Sequence, residues 1–218
     1  MIENKNRNQE EDKSIAVAED SRESDWKSKS FMASMFMGDL DVGMCYPFPA
    51  QDAEDKAIKT LPYSQDFRRS VDPWVRGWKR GKKSDLKLFD GSDGYSVRWS
   101  TEILEGESDF IIFGISLDGA SLKQVSMRLR SETLQGRYRI LLEDDEGNTW
   151  TAPLQSVSTD RWADLSLPIG SFVRTDGSTR GSGVDGSRIN WVILRDVTAL
   201  HTAQRGTNAL LIDDLMLR

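Results

Sequence analysis

Residues 136–151 read Gly-Arg-Tyr-Arg-Ile-Leu-Leu-Glu-Asp-Asp-Glu-Gly-Asn-Thr-Trp-Thr. In an extended chain successive side chains point to opposite faces. Tyr138, Ile140 and Leu142 then share one face, while Arg137, Arg139 and Leu141 take the other. Asp145-Glu-Gly147 reads as a tight hairpin, because glycine accepts a positive φ without a Cβ clash. The stretch is strand, turn, strand.

The same rhythm runs outward in both directions. Candidate strands span 95–104, 110–117, 124–130, 137–143, 149–154, 162–168, 190–196 and 208–217. Breaks fall at Gly91-Ser-Asp-Gly94, at Asp118-Gly119, at 144–147 and in the glycine-rich run 176–187. Only 160–172 hints at a short helical turn, just after Pro168. Short alternating runs with turn residues between them predict an all-β, two-sheet antiparallel sandwich. Eight such strands suit a jelly roll, which limits exposed edges by pairing two Greek keys.

Composition divides the chain of 218 residues into four parts. Residues 1–29 are charged at almost every second position and cannot bury enough surface to offset their ordering entropy, so they are expected to be disordered. Residues 30–61 are apolar and methionine-rich. There Phe31, Met32, Met35 and Phe36 fall at helical spacing, Tyr46-Pro-Phe-Pro49 must be extended, and Asp52 reads as the N-cap of a helix through Lys59. Residues 62–84 form a basic stretch in which Arg68, Arg69, Arg76 and Lys79 surround Trp74 and Trp78. Such a mixture can grip nucleic acid or a membrane surface. It also fits a tether whose tryptophans dock on the neighbouring domain. Residues 85–218 are the sandwich module.

The net charge of −6 disfavours the phosphate attraction that carries nucleic-acid binding, so none is expected. No apolar run reaches the roughly 18–20 residues of a membrane helix. The opening residues lack a secretory apolar run, which makes cytoplasm the expected location. Cys45 is the only cysteine, so no intramolecular disulfide is available.

Two stretches resemble known families. Ser-Lys-Ser-Phe at 28–31, Met-Phe-Met-Gly at 35–38 and Tyr-Pro-Phe-Pro at 46–49 resemble the N-terminal leader of long-chain acyl-CoA dehydrogenases. The likeness stops after about 35 residues, and nothing downstream offers that family's helical domains or catalytic carboxylate. It implies either a docking peptide at 28–61 that binds a protein, or a truncated or fused relative of those enzymes. The second likeness rests on Ser-Met-Arg-Leu-Arg at 126–130, the run 136–144, Trp-Ala-Asp-Leu-Ser-Leu-Pro at 162–168 and Leu-Leu-Ile-Asp-Asp-Leu-Met-Leu at 210–217. It is similar to galactose-binding-like jelly rolls, both carbohydrate-binding modules and the complex I intermediate-associated protein family. That resemblance implies a glycan partner in the first case and a protein partner, for an intracellular assembly factor, in the second.

Catalytic material is scarce. His201 is the only histidine and no Gly-x-Ser-x-Gly elbow exists, so the chain reads as a non-catalytic binding module. One His and one Cys cannot supply an ordinary structural zinc site. Asp90, Asp93, Asp213 and Asp214 could hold calcium together with backbone carbonyls, although aspartates at strand entrances also serve ordinary turns. For a glycan, Trp and Tyr stack on the apolar faces of sugar rings while arginine bonds the hydroxyls. The candidates are Trp99, Tyr138 and Trp150 with Arg128 and Arg139. Trp150, beside a hairpin, is the expected exposed platform, whereas Trp162 and Trp191 are expected in the core.

Overall fold

Each long strand of the computed structural model turns one file of side chains inward and one outward. Residues 50–77, 84–104, 106–175, 183–203 and 205–218 are described. Helix α1 covers Ala50–Asp55. The strands are β1 Tyr63–Gln65, β2 Val75–Arg76, β3 Ser84–Gly91, β4 Gly94–Ile103, β5 Asp109–Gly114, β6 Gln124–Ser131 and β7 Gly136–Asp144. There follow β8 Thr149–Thr151, β9 Gln155–Val157, β10 Ala163–Pro168, β11 Val173–Arg174, β12 Ile189–Asp196 and β13 Gly206–Leu217. One sheet has the order β10-β6-β13-β4-β3, with β1 on the far end of β13. The other runs β11-β8-β7-β12-β5-β2, with β9 beside β7. All the pairings are antiparallel, as an all-β jelly-roll sandwich requires.

The facing sides make one core. Val97, Trp99, Leu210, Ile212, Met127 and Leu129 of the first sheet meet Ile111, Phe113, Ile140, Leu142, Val192 and Leu194 of the second. Trp99 and Tyr138 come together across this core at 6.5 Å between ring centroids. Several polar groups trapped there are paired, as burial demands. The Tyr138 hydroxyl lies 3.3 Å from Ser131 Oγ and accepts a bond from Asn208 Nδ2, and Thr101 Oγ1 donates to Asp196.

Of the tether expected at 62–84, the described residues 62–77 join the sandwich. β1 joins the first sheet and β2 the second, and Phe67 and Trp74 between them are fully buried. Trp74 packs edge-on against Phe113 at 4.7 Å, so this tryptophan does dock on the sandwich. Trp78 and Lys79 lie outside the described residues. Too short and too mixed to show a period, these strands exist only because a ready sheet edge offers them hydrogen bonds. β3 was missed for a related reason: on an edge, its residues are only half-buried and its sequence stays polar. The helix expected from Asp52 to Lys59 begins and ends earlier, because Ile58 instead forms a bridge with Ile115. The helical turn expected after Pro168 forms at Ile169–Ser171. Residues 1–49, including Cys45 and the family-like part of the leader, lie outside the described residues.

Candidate functional site

The outward side of the β5–β7–β8–β12 sheet departs from the usual polar exterior. The ladder register places side chains there in rows. One row holds Trp191, Glu143 and Thr149, which are successive cross-strand partners. The next holds Val75, Ile112, Ile193, Leu141, Thr151 and Val173. A third holds Phe110, Arg195 and Arg139. One step further along β7, Arg137 lies opposite Ser156 of β9.

Phe110, Ile112, Leu141 and Ile193 form a second hydrophobic cluster, separate from the core, with Val75 and Trp191 packed against it. Ile112 and Ile193 have no exposed surface, so they are a floor. Accessible surface belongs to the rim: Trp191, Arg137, Arg139 and Thr151 are half-buried, and Val173 is exposed. Two glycines let neighbouring chain approach this face. A Cβ on Gly114 would stand 2.9 Å from the Ala53 carbonyl oxygen of α1, and one on Gly77 would overlap the Phe110 ring.

Glu143 is buried beside Trp191, and neither of its carboxyl oxygens has a hydrogen-bond partner among the described residues. Burial, and then the neighbouring Asp144, push its pKa up to about 9, so the carboxyl is neutral at physiological pH. At the other end of the face, the Arg195 Nε donates to Ser108 Oγ at 3.0 Å. The Arg137 and Arg139 guanidinium groups have no carboxylate partner among the described residues. The face is thus an apolar floor with an indole and a neutral acid at one end and guanidinium groups at the other.

The opposite exterior, outside the first sheet, is polar and internally matched. Arg130 bonds Asp93 at 2.6 Å, and Arg98 bonds Glu132 at 2.6 Å. Arg128 lies 3.2 Å from Asp214, 3.9 Å from Asp213 and 3.4 Å from Asp164. Both guanidinium groups of Arg128 and Arg130 lie 5.0 Å from the Trp162 ring, whose Nε1 donates to Asp93. Those bonds, first from Trp162 and then from Arg130, hold the Asp93 carboxyl below its usual range. Asp213 is pushed the other way, chiefly by burial. Strict alternation would send Asp213 and Asp214 to opposite faces. A bulge between Asp213 and Met216, with Asp214 at φ 48°, lets both reach Arg128.

The sequence candidates therefore separate. Trp99, Tyr138 and Trp150 are buried between the sheets, and Trp150 is 6% exposed, so the expected platform is a core residue. Its hairpin position misled: Trp150 pairs with Leu142, whose side is inward. Arg139 lies on the apolar outer face, and Arg128, Asp93, Asp213 and Asp214 lie on the charged one. Asp90 is exposed at the end of β3 and pairs with Tyr95. Among the described residues no group of three or more His, Cys, Asp or Glu is placed to hold a metal. Carboxylates already engaged by arginine are poor calcium ligands. His201 is exposed after a short helical turn. Trp191 and Trp162, expected in the core, are half-buried on outer faces. For Trp191 the signal was present, because Val192 and Leu194 claim the inward parity of β12.

No protein-family model matches the chain, and no curated protein sequence matches it. Solved structures do. The family 11 carbohydrate-binding module of a cellulosomal cellulase from Clostridium thermocellum aligns with a TM-score of 0.52 and 16% identity, covering 72% of this chain and 95% of that one. The same organism's family 11 module in complex with a β-1,3-1,4-mixed-linked tetrasaccharide aligns with a TM-score of 0.51 and 16% identity, covering 71% and 93%. An agarase aligns with a TM-score of 0.50 and 11% identity, covering 72% of this chain and 24% of the agarase. The fold is the jelly-roll-like sandwich of carbohydrate-binding modules.

Proposed function

We propose that the chain is a non-catalytic carbohydrate-binding module whose ligand lies along the outer face of the β5–β7–β8–β12 sheet. The observation that carries this reading is the rim of that face: a half-exposed Trp191, with guanidinium groups at Arg137 and Arg139 that have no carboxylate partner among the described residues, set around a buried apolar floor. Sugar rings offer apolar C–H faces to an indole and hydroxyls to fixed donors. The likeness in fold to a module solved in complex with a β-1,3-1,4-mixed-linked tetrasaccharide supports the same assignment. The charged exterior around Trp162 serves less well, since its charges already satisfy one another.

Calorimetric titration of the full chain against a panel of soluble polysaccharides, mixed-linkage β-glucan among them, is the test. Trp191→Ala should weaken binding by about thirtyfold, the loss of one interface anchor. Heat with no polysaccharide, or binding that ignores Trp191→Ala but vanishes with Trp162→Ala, refutes the assignment.

A protein partner is the second reading, and the buried second apolar cluster favours it. The assembly-factor likeness, docking through residues 28–61 and a cytoplasmic location belong with that reading. Recovery of one stoichiometric protein by the full chain, lost with Ile193→Asp, would support it over glycan binding.

A further inference from the structure

In a two-layer sandwich each strand buries one side and leaves the other to solvent. β6 obeys this, alternating buried and half-buried residues along its length. β5 does not: every one of its positions is buried, and β12 is buried continuously from Val192 to Asp196. A side chain upright on a sheet is flanked by its neighbours, yet its tip stays open unless something reaches over it. On the first sheet Leu211 has such neighbours, because its cross-strand partners are Arg98 and Arg130. Ile193 has none. Its partners are Ile112 and Leu141, with Val75 and Thr151 beyond them, all too short to cover one another. Arg195 is turned to Ser108. Ile112 and Ile193 nevertheless have no exposed surface. An apolar sheet face buried in this way needs a further layer on it. The described element seated on this side is helix α1, at the Gly114 end of β5, where Ala53, Ala57 and the Trp191 ring converge.

The sequence narrows what can complete that layer. Of the segments outside the described residues, 78–83 are mostly Lys and Arg and are held between β2 and β3, and 176–182 carry no apolar side chain. Residues 30–49 differ. They include Phe31, Met32, Met35, Phe36, Leu40 and Phe48, and their only charges are Asp39 and Asp41. They lead directly into Ala50 of α1, which already lies on this side. Extended, such a stretch reaches about 60 Å, whereas the strands β8, β7, β12 and β5 together span only about 15–20 Å.

We propose that residues 30–49 pack on the outer side of the β5–β7–β8–β12 sheet as a third layer, with their Phe and Met side chains on Ile112, Leu141 and Ile193. Unbranched methionines adapt to a surface of mixed Ile, Leu and Phe. The leader is then an intramolecular cover and not a docking peptide for another protein. It closes the floor and leaves the rim, where Trp191, Arg137 and Arg139 keep open surface. The inference therefore stands apart from the glycan reading.

The test places the photo-cross-linker p-benzoylphenylalanine at Phe31 or at Phe36 of the full chain, irradiates it, and maps the products by mass spectrometry. Cross-links within one chain to Ile112, Leu141, Ile193 or their outward neighbours are expected. Cross-links to the outer side of β4 or β6, cross-links between two chains, or none to the sandwich overturn the inference. A second measurement replaces Phe31, Met35 and Phe36 together by serine. The bared floor should then raise the fluorescence of a dye that binds apolar surface several-fold, with strand content in circular dichroism unchanged. Unaltered dye fluorescence also overturns the inference. Should that variant not fold, the cross-link map on the near-native chain decides. Neither measurement involves a glycan, so failure here leaves the glycan reading standing, and absence of glycan binding leaves the cover standing.

Discussion

Replacing Glu143 by glutamine removes a buried acid neither of whose carboxyl oxygens has a hydrogen-bond partner among the described residues, and keeps its shape. In the folded chain its pKa is raised from about 4.5 to about 9, mainly by desolvation. The folded protein therefore holds a proton that the unfolded chain releases above about pH 4.5. This stability is fully present at low pH and is lost as pH rises toward 9. One proton of difference changes stability by about 1.4 kcal/mol per pH unit, or about 4 kcal/mol between about pH 5.5 and about pH 8.5. That is a large share of the roughly 5–15 kcal/mol that holds a domain together. Glutamine does not titrate, so Glu143→Gln should be flat in this respect. The assay is urea denaturation of both proteins at four pH values across that range. With a slope of about 2 kcal/mol per molar urea, the midpoints should diverge by about 0.7 M per pH unit, the variant becoming the more stable. Taking the difference cancels every other titrating group. Parallel profiles would refute the buried neutral acid.

Two further outcomes follow from packing. Gly186→Ala would place a Cβ 1.9 Å from the Leu122 carbonyl oxygen, so it should cost about 1–3 kcal/mol and lower the melting temperature by about 3–10 °C in calorimetry; an unchanged melting temperature would contradict this contact. Trp150→Ala should cost about 3–5 kcal/mol in denaturant titration, because it empties a core position, and should leave glycan affinity of the folded fraction unaltered. Loss of affinity without loss of stability would return Trp150 to the binding surface.

The antiparallel sandwich was legible because long strands that bury one face must alternate. All eight strands expected from the sequence form within a few residues of their predicted ends. Alternation also placed Arg137, Arg139 and Leu141 on one side of β7 before any partner strand was known. It could not show that this side joins Ile112, Ile193 and Phe110, since those lie on β5 and β12, distant in the chain. The same limit explains Trp150. Its neighbours Asn148 and Thr149 suggest an exposed turn, but pairing with Leu142 commits its ring to the core.

What the sequence alone determined is whatever depends on a residue and its near neighbours: the strand period and the hairpin glycine at Gly147. What only the tertiary structure decided is which exterior has unmet chemistry. Arg128 and Arg139 are indistinguishable as arginines in alternating strands, yet one is encircled by aspartates and the other faces apolar floor. Charge compensation is settled by residues brought alongside from other strands, and strand order is fixed by the packing of the whole sandwich.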